Sequence, residues 1–220
     1  MQLPRVVTWR GIRAYTRLMR STLDRPAIVA AGVELVRRDG VEALGVRAVA
    51  GAVGATPMAL YRYVADAADL HDAVLGLLFR SLPAPPTSVD DLAEWARAFR
   101  TWLADVPGLP RLVSIRWFEL APLLDLVESL LQVFARAGQD GFELVAAANA
   151  LFSYVLARGE LEEAVRSAGV DRSLSWGTSR PLLSSLRREY EVARLDEHFD
   201  YGLELLLRGL LGSSGSVLVR

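Results

Sequence analysis

The sequence has no cysteine, no lysine and only two histidines among its 220 residues. Without cysteine there are no disulfides and no thiolate metal sites, which fits a reducing compartment. His71 and His198 lie far apart, each in an amphipathic helical pattern, so a histidine-based metal centre or catalytic triad has no support. No apolar run reaches the ~18 residues that a membrane-spanning helix needs. The N-terminus is basic but lacks the uninterrupted apolar core of a signal peptide. There is no phosphate-cradling glycine loop and no nucleophile elbow, and the acidic residues are scattered over polar helix faces. An enzyme reading, a metal and a cofactor therefore find nothing to rest on. The absence of lysine itself carries little functional weight, because a GC-rich genome alone favours arginine codons.

What is present is a globular composition, 52% hydrophobic with a mean hydropathy of +0.25. The length suits one or two domains with a sizeable core. The net charge of −1 hides an asymmetry. Residues 1–64 hold ten Arg and four acidic residues, a balance of +6. Residues 65–220 hold fifteen Arg and twenty-two acidic residues, a balance of −7. A basic end on an acidic body suits a polyanion-binding head joined to a second functional part.

The most informative stretch is Val41–Leu70. Val46, Val49, Ala50 and Val53 share one face of a short helix. Gly54 falls where the chain must reverse, which requires a positive φ or a close backbone approach. Thr56 offers a capping hydroxyl, and Pro57 fits the first helical position, where no N–H is required. Met58–Val64 is expected to be another short helix, and Asp66 to open the next, with Asp69 in its first turn. The pattern is a helix-turn-helix, whose second helix suits the major groove of DNA. Thr56, Tyr61, Arg62 and Tyr63 supply donors and rings there, and small Ala59 permits close approach. Spacing alone leaves open an ordinary surface helical hairpin.

The segments AIVAAGVELVRRDG (Ala27–Gly40), VRAVAGAVGATPMALYRYV (Val46–Val64) and DAADL (Asp66–Leu70) resemble the N-terminal domain of the TetR family of transcriptional repressors. The resemblance is strong over about a quarter of the chain and looser beyond. It implies an all-α fold, in which a three-helix helix-turn-helix domain joins, through a connecting helix, a helical domain for ligand binding and dimerisation. Carried over by position, it implies DNA contacts from Arg47, Thr56, Pro57, Met58, Ala59, Tyr61, Arg62 and Tyr63. The two tyrosine hydroxyls suit phosphate, which orients without reading sequence. Arg62 suits a bidentate bond to guanine, worth about 1–3 kcal/mol of discrimination. Two departures stand out. The family's usual hydroxyl at the start of the second helix is replaced by Leu44 and Gly45. Its usual phosphate-contacting lysine at the start of the fourth is replaced by Ala67 and Ala68.

Ahead of the resemblance, Trp9, Ile12, Tyr15 and Met19 recur at helical spacing, opposite Arg10, Arg13, Arg17 and Arg20. Residues 1–22 read as a helix laying an arginine stripe on phosphates, as an arm entering a minor groove, as a membrane-surface helix, or as a solvated face. Arg10, Arg13 and Arg17 are candidate DNA contacts that stand in for the missing lysine. Residues 23–66 then form the expected head. Its first helix starts near Asp24, ends at Gly40 and buries Ile28, Ala31, Leu35 and Val36.

Residues 67–220 form the expected effector-binding and dimerisation domain. A connecting helix near Ala67–Leu82 meets the proline-rich linker Leu82–Asp90. Helical patterns follow at about Asp90–Ala104, Arg111–Glu119, Pro122–Ala137, Phe142–Ser167, Pro181–Tyr190 and Asp196–Leu211, with a break at Pro107–Pro110. Ligand pockets are mostly apolar with a few placed polar groups. Phe79, Trp102, Trp117, Phe118, Phe134, Phe152 and Trp176 are candidate pocket residues, although plain core serves equally for any one tryptophan. Asn149, in an alanine-rich apolar helix, is expected to be buried, either as a polar pocket residue or in a dimer-interface hydrogen bond. By the resemblance, Phe199, Leu203, Leu206, Leu207 and Leu210 on the last helix pair with Phe142–Leu156 and a second subunit. Ordinary intramolecular core is the other reading of these stripes.

Together these features predict a cytoplasmic, homodimeric, ligand-responsive regulator. It binds a palindromic double-stranded DNA operator as a repressor, needs no cofactor, and is released by a small apolar or aromatic effector. The rival expectation is a helical small-molecule binding protein with a weak DNA-binding head.

Overall fold

The computed structural model describes residues 23–168, 180–190 and 194–212. Among these every regular element is helical. In chain order the α-helices are α1 (Arg25–Asp39), α2 (Val46–Ala52), α3 (Pro57–Leu60), α4 (Ala67–Phe79), α5 (Leu92–Ala104), α6 (Leu109–Arg116), α7 (Ala121–Arg136), α8 (Gly141–Ser167), α9 (Pro181–Ser185) and α10 (Leu195–Gly212). Short 3-10 turns occupy Val41–Ala43 and Arg187–Tyr190. No described helix is long and apolar enough to cross a membrane. The chain forms two compact units, the described part of residues 1–84 with residues 98–125, and residues 85–97 with the described part of residues 126–220.

In the first unit, α1 packs on α2 and α4, and α2 on α3. Ile28, Val36, Val49, Leu60, Leu70 and Val74 are all fully buried. Burying an aliphatic side chain of this size contributes about 1.5–3 kcal/mol. Gly32 of α1 faces Val74 of α4 so closely that an added Cβ would collide with a valine methyl. The end of α1 is also tied down. Gly40 has φ 91°, and the Val41 N–H donates to the Pro107 carbonyl at 2.9 Å. Farther along, Trp102 packs edge-on against Phe79 at 5.3 Å and stacks with Phe99 at 5.8 Å. Its indole N–H donates to the Ser81 hydroxyl at 3.0 Å, which in turn donates to the Leu78 carbonyl.

In the second unit the 27-residue α8 packs along α10. The Tyr154 hydroxyl donates to the Phe199 carbonyl at 2.9 Å, its ring lies 5.5 Å from that of Phe199, and Gly202 makes room for it. The Gln139 amide donates to the Leu210 carbonyl at 2.6 Å. Glu162 is buried beside Arg158 on α8, with N···O 3.4 Å.

The element boundaries depart from expectation at prolines and caps. The connecting helix ends at Phe79, short of the expected Leu82, with Pro83, Pro85 and Pro86 following. The expected break falls at 105–108, between α5 and α6, and does not extend to Pro110. Pro110 lies in the first turn of α6, where its missing N–H costs nothing. The expected helix at Pro181–Tyr190 is one α-turn followed by a 3-10 turn.

Candidate nucleic-acid interface

Side chains set each junction in the head. Asp24 accepts from the Ala27 N–H at 2.8 Å and starts α1. Gly54 adopts φ 69° between α2 and α3, the left-handed conformation that its place in the pattern required. Thr56 Oγ1 accepts from the Ala59 N–H at 3.3 Å, with Pro57 at the first helical position. Asp66 Oδ1 accepts from the Asp69 N–H at 2.8 Å and starts α4. The start of α2 has no side-chain cap, as Gly45 in place of a hydroxyl residue implies.

The second helix of the motif is shorter than expected. Only Pro57–Leu60 is α-helical, and Tyr61, Arg62 and Tyr63 continue it as turns. The reason lies in the spacing. Asp66 must begin α4 two residues after Val64, so the chain tightens, and the Tyr63 N–H bonds back to the Leu60 carbonyl at 2.8 Å.

This short element turns one face inward and one outward. Leu60 and Val64 are buried in the head core. Thr56, Pro57, Met58, Tyr61 and Arg62 are exposed, Met58 at 75% and Tyr61 at 46% of their full surface, while Ala59 and Tyr63 are half-buried. A methionine left that open, beside a tyrosine, an arginine and a threonine, has no role in the core. Arg47 on α2 is also exposed. Tyr61 is therefore not the packed core ring that its aromaticity alone would suggest. Arg10, Arg13 and Arg17 lie outside the described residues.

A contact between distant residues ties the head together. Arg25, the first residue of α1, donates from Nη1 to the Tyr63 carbonyl at 2.9 Å and to Asp69 Oδ2 at 2.7 Å, while Nη2 reaches Asp69 Oδ1. Asp69 Oδ2 also accepts from the Ala65 N–H at 2.9 Å. The Arg25 hydrogen bonds, and then that of the Ala65 amide, hold the Asp69 carboxyl well below the usual carboxylate range. Arg25 and Asp69 are 44 positions apart, so no local pattern could have paired them.

The other candidate residues separate. Phe79 and Trp102 meet in the first unit as packed core. Trp117 and Phe118 adjoin there, with Phe118 exposed. Phe134 and Phe152 are buried in the second unit. Trp176 lies outside the described residues. Asn149 is exposed, against the burial that its alanine-rich surroundings suggested, on the α8 face that also carries exposed Phe142 and Val145. Along α10, Phe199 and Leu203 are buried within their own unit, and Leu206, Leu207 and Leu210 are partly exposed. The opposite side of that helix exposes Tyr201 and Leu205. A groove of about 660 Å³ runs beside α10, lined by Arg97, Tyr201, Leu203, Leu207 and Leu211 among others, with Arg97 paired to Asp200 at 2.7 Å. Among the described residues no group of three or more histidine, aspartate or glutamate side chains is placed to hold a metal.

The described residues are all helical, and they present the second helix of a helix-turn-helix outward, the arrangement that suits a DNA groove. Comparison with known proteins makes this specific. Residues 82–213, more than half of the chain, match the family model described as the tetracyclin repressor-like C-terminal domain, and the chain belongs to that family, the TetR family of transcriptional regulators. It is 29% identical over 228 residues to the HTH-type transcriptional repressor DrrR1 of Streptomyces coeruleorubidus, spanning 92% of this chain and 82% of that one. Its fold is similar to that of a possible TetR family transcriptional regulator from Streptomyces coelicolor, with TM-score 0.69, 24% identity, and 86% and 99% of the two chains covered. It is also similar to that of the TetR family protein ActR of Streptomyces coelicolor in complex with actinorhodin, with TM-score 0.66, 22% identity, and 89% and 99% covered. The family match falls on the body, whereas the head carries the more specific motif.

Proposed function

We propose that this protein is a ligand-responsive transcriptional repressor that binds a palindromic DNA operator as a homodimer in the cytoplasm. Residues 23–66 act as the DNA-binding head, residues 67–220 as the effector-binding and dimerisation body, and residues 1–22 as a basic extension. The observation that carries this reading is the outward face of Thr56, Pro57, Met58, Tyr61 and Arg62 over a buried Leu60. Thr56, Met58, Ala59 and Arg62 read base edges, while Arg47, Tyr61 and Tyr63, with Arg10, Arg13 and Arg17 ahead of the head, hold phosphates. Two heads on a twofold axis would engage half-sites about 34–36 Å apart, one duplex turn.

The dimer forms through α8 and α10. Phe142, Val145 and Asn149 recur on one face of α8, and Leu206, Leu207 and Leu210, partly exposed along α10, continue the stripe of Phe199 and Leu203. Exposed apolar side chains recurring on one helix face suit an interface better than water. Phe199 and Leu203 then support that interface from beneath. The effector is small and apolar or aromatic, and in the first unit Phe79, Trp102, Trp117 and Phe118 are the aromatic residues available to meet it. The solved complex of ActR with actinorhodin supports a small-molecule effector. Release requires the effector to prefer the conformation that does not bind DNA, since equal affinity for both states shifts nothing. α4 is the natural lever, because it carries Asp66 and Asp69 at one end and Phe79, against Trp102, at the other.

Selection of bound fragments from random DNA, at stated salt, tests the reading together with the sedimentation mass of the free protein. A palindrome bound by a dimer is expected. No enriched sequence, or a monomer that binds DNA as tightly as any assembly, overturns it.

A further inference from the structure

The outward face of the second helix needs something to hold its far end. Pro57–Leu60 is a single α-turn, and the turns beyond it carry Tyr61, Arg62 and Tyr63, with the Arg62 N–H only 3.4 Å from the Ala59 carbonyl. An element this short has almost no stability of its own. Its start is capped by Thr56 and pinned by Leu60. Its end meets the guanidinium of Arg25, which binds the Tyr63 carbonyl and the Asp69 carboxylate together. The same carboxylate takes the Ala65 N–H, the second residue past the turn. The start of α1, the end of the reading element and the first turn of α4 thus meet at one planar fork.

We propose that Arg25 and Asp69 form a latch that positions the DNA-reading element, and that Arg25 serves operator binding without touching DNA. This rests on the DNA-binding reading above. An isolated exposed ion pair contributes little to stability, and both side chains are partly exposed. The value of this pair is geometric. It fixes the two peptide planes on either side of Val64, and so the end of the turn that carries Tyr61 and Arg62. A lysine cannot serve in place of Arg25, because one ammonium lacks the rigid fork. The latch also accounts for a carboxylate at the edge of the basic head, where charge alone would disfavour it.

That sign conflict supplies the test. Asp69→Asn removes a negative charge beside the reading element, so electrostatics alone predicts tighter DNA binding. The latch predicts the reverse. Asp69→Asn and Arg25→Gln should each weaken binding to the selected operator by about tenfold, the scale of one lost base contact. The slope of log affinity against log salt should stay that of the wild type. Asp69→Glu, which keeps the carboxylate, should bind as the wild type does.

Amide hydrogen exchange reports on the latch without DNA. It should quicken at Tyr63 and Ala65 in Asp69→Asn and Arg25→Gln, and stay unchanged in α8. Equal or tighter operator binding by Asp69→Asn overturns the proposal. So does a slope lowered by about 0.9 in Arg25→Gln, the mark of a direct phosphate contact. Unchanged exchange at Tyr63 and Ala65 overturns it as well. A wild type that selects no DNA sinks the functional reading instead, and the exchange result then still decides the latch.

Discussion

The helix-turn-helix head and the α8–α10 pair solve the same packing problem and leave different things uncovered. In the head the helices are short, and side chains end them. Asp24, Thr56 and Asp66 each accept a backbone N–H three residues on, and Gly54 turns the chain at φ 69°. What the helix-turn-helix leaves outside is mixed, with Arg47, Thr56, Met58, Tyr61 and Arg62 all exposed. In the second unit, α8 runs for 27 residues from Asp140 without a side-chain cap bond. What that pair leaves outside includes large apolar side chains beside its charged ones, with Phe142 86% and Tyr201 65% exposed. Hydrogen-bonding groups suit a polar partner that carries charge and base edges, whereas bare aromatic and aliphatic surface suits a protein partner.

The sharpest way to test the contrast within the head is to cut on both sides of the reading element. Leu60→Ala empties a fully buried site and should destabilise the protein by about 2–5 kcal/mol in urea unfolding. Met58→Ala, on the open side of the same turn, should change stability by less than about 0.5 kcal/mol while weakening operator binding. Equal losses of stability would mean that Met58 is covered and that the outward face is misplaced.

The corresponding cut in the second unit is Gly202→Ala. The new Cβ would strike the Tyr154 hydroxyl, which is already committed to the Phe199 carbonyl. A loss of about 1–3 kcal/mol is expected. Tyr154→Phe in the same background should recover part of it, since the colliding oxygen is gone. No recovery would place the strain elsewhere along the seam.

Smaller effects come from the caps. Thr56→Ala should cost about 1 kcal/mol, as loss of an N-terminal cap does. Asp140 at the start of α8 makes no such side-chain bond, so Asp140→Ala should cost less. Hydrogen–deuterium exchange at the first turn of each helix separates the two.

The smallest expected effect is acid-dependent. Because Asp69 titrates below its unfolded value of about 3.9, its contribution is fully present above that pH and is lost as pH falls through the folded value. Asp69→Asn should therefore flatten the acid limb of stability below about pH 4 and lower stability by a pH-independent amount across pH 5–8. A change confined to the neutral range would rule this linkage out.

Much of the head was legible in the chain itself. The caps Asp24, Thr56 and Asp66, the turn at Gly54 and the missing cap at Gly45 are local chemistry. Each involves groups within a few residues of one another, and each stands where the pattern put it. Boundaries were less legible where a distant constraint competes, as in the shortening of Met58–Val64 to one α-turn. In the body the same reasoning found the helices but misjudged a face. Asn149 sits among alanines, and an alanine-rich helix has no strong periodicity to say which side is buried, so its exposure came only with the packing of α8 on α10. Phe199 and Leu203 belong to the same apolar stripe as Leu206 and Leu210, and only the fold separates the two that Tyr154 and its helix already cover.

The sequence by itself determined the all-helical class, the caps and the helix-turn-helix, because backbone geometry and capping act over three or four residues. The tertiary structure decided which apolar residues face the chain's own core and which face outward. It also decided that Arg25 meets Asp69 and the Tyr63 carbonyl. Both depend on groups far apart in the chain arriving at one place, and no spacing along a sequence encodes that meeting.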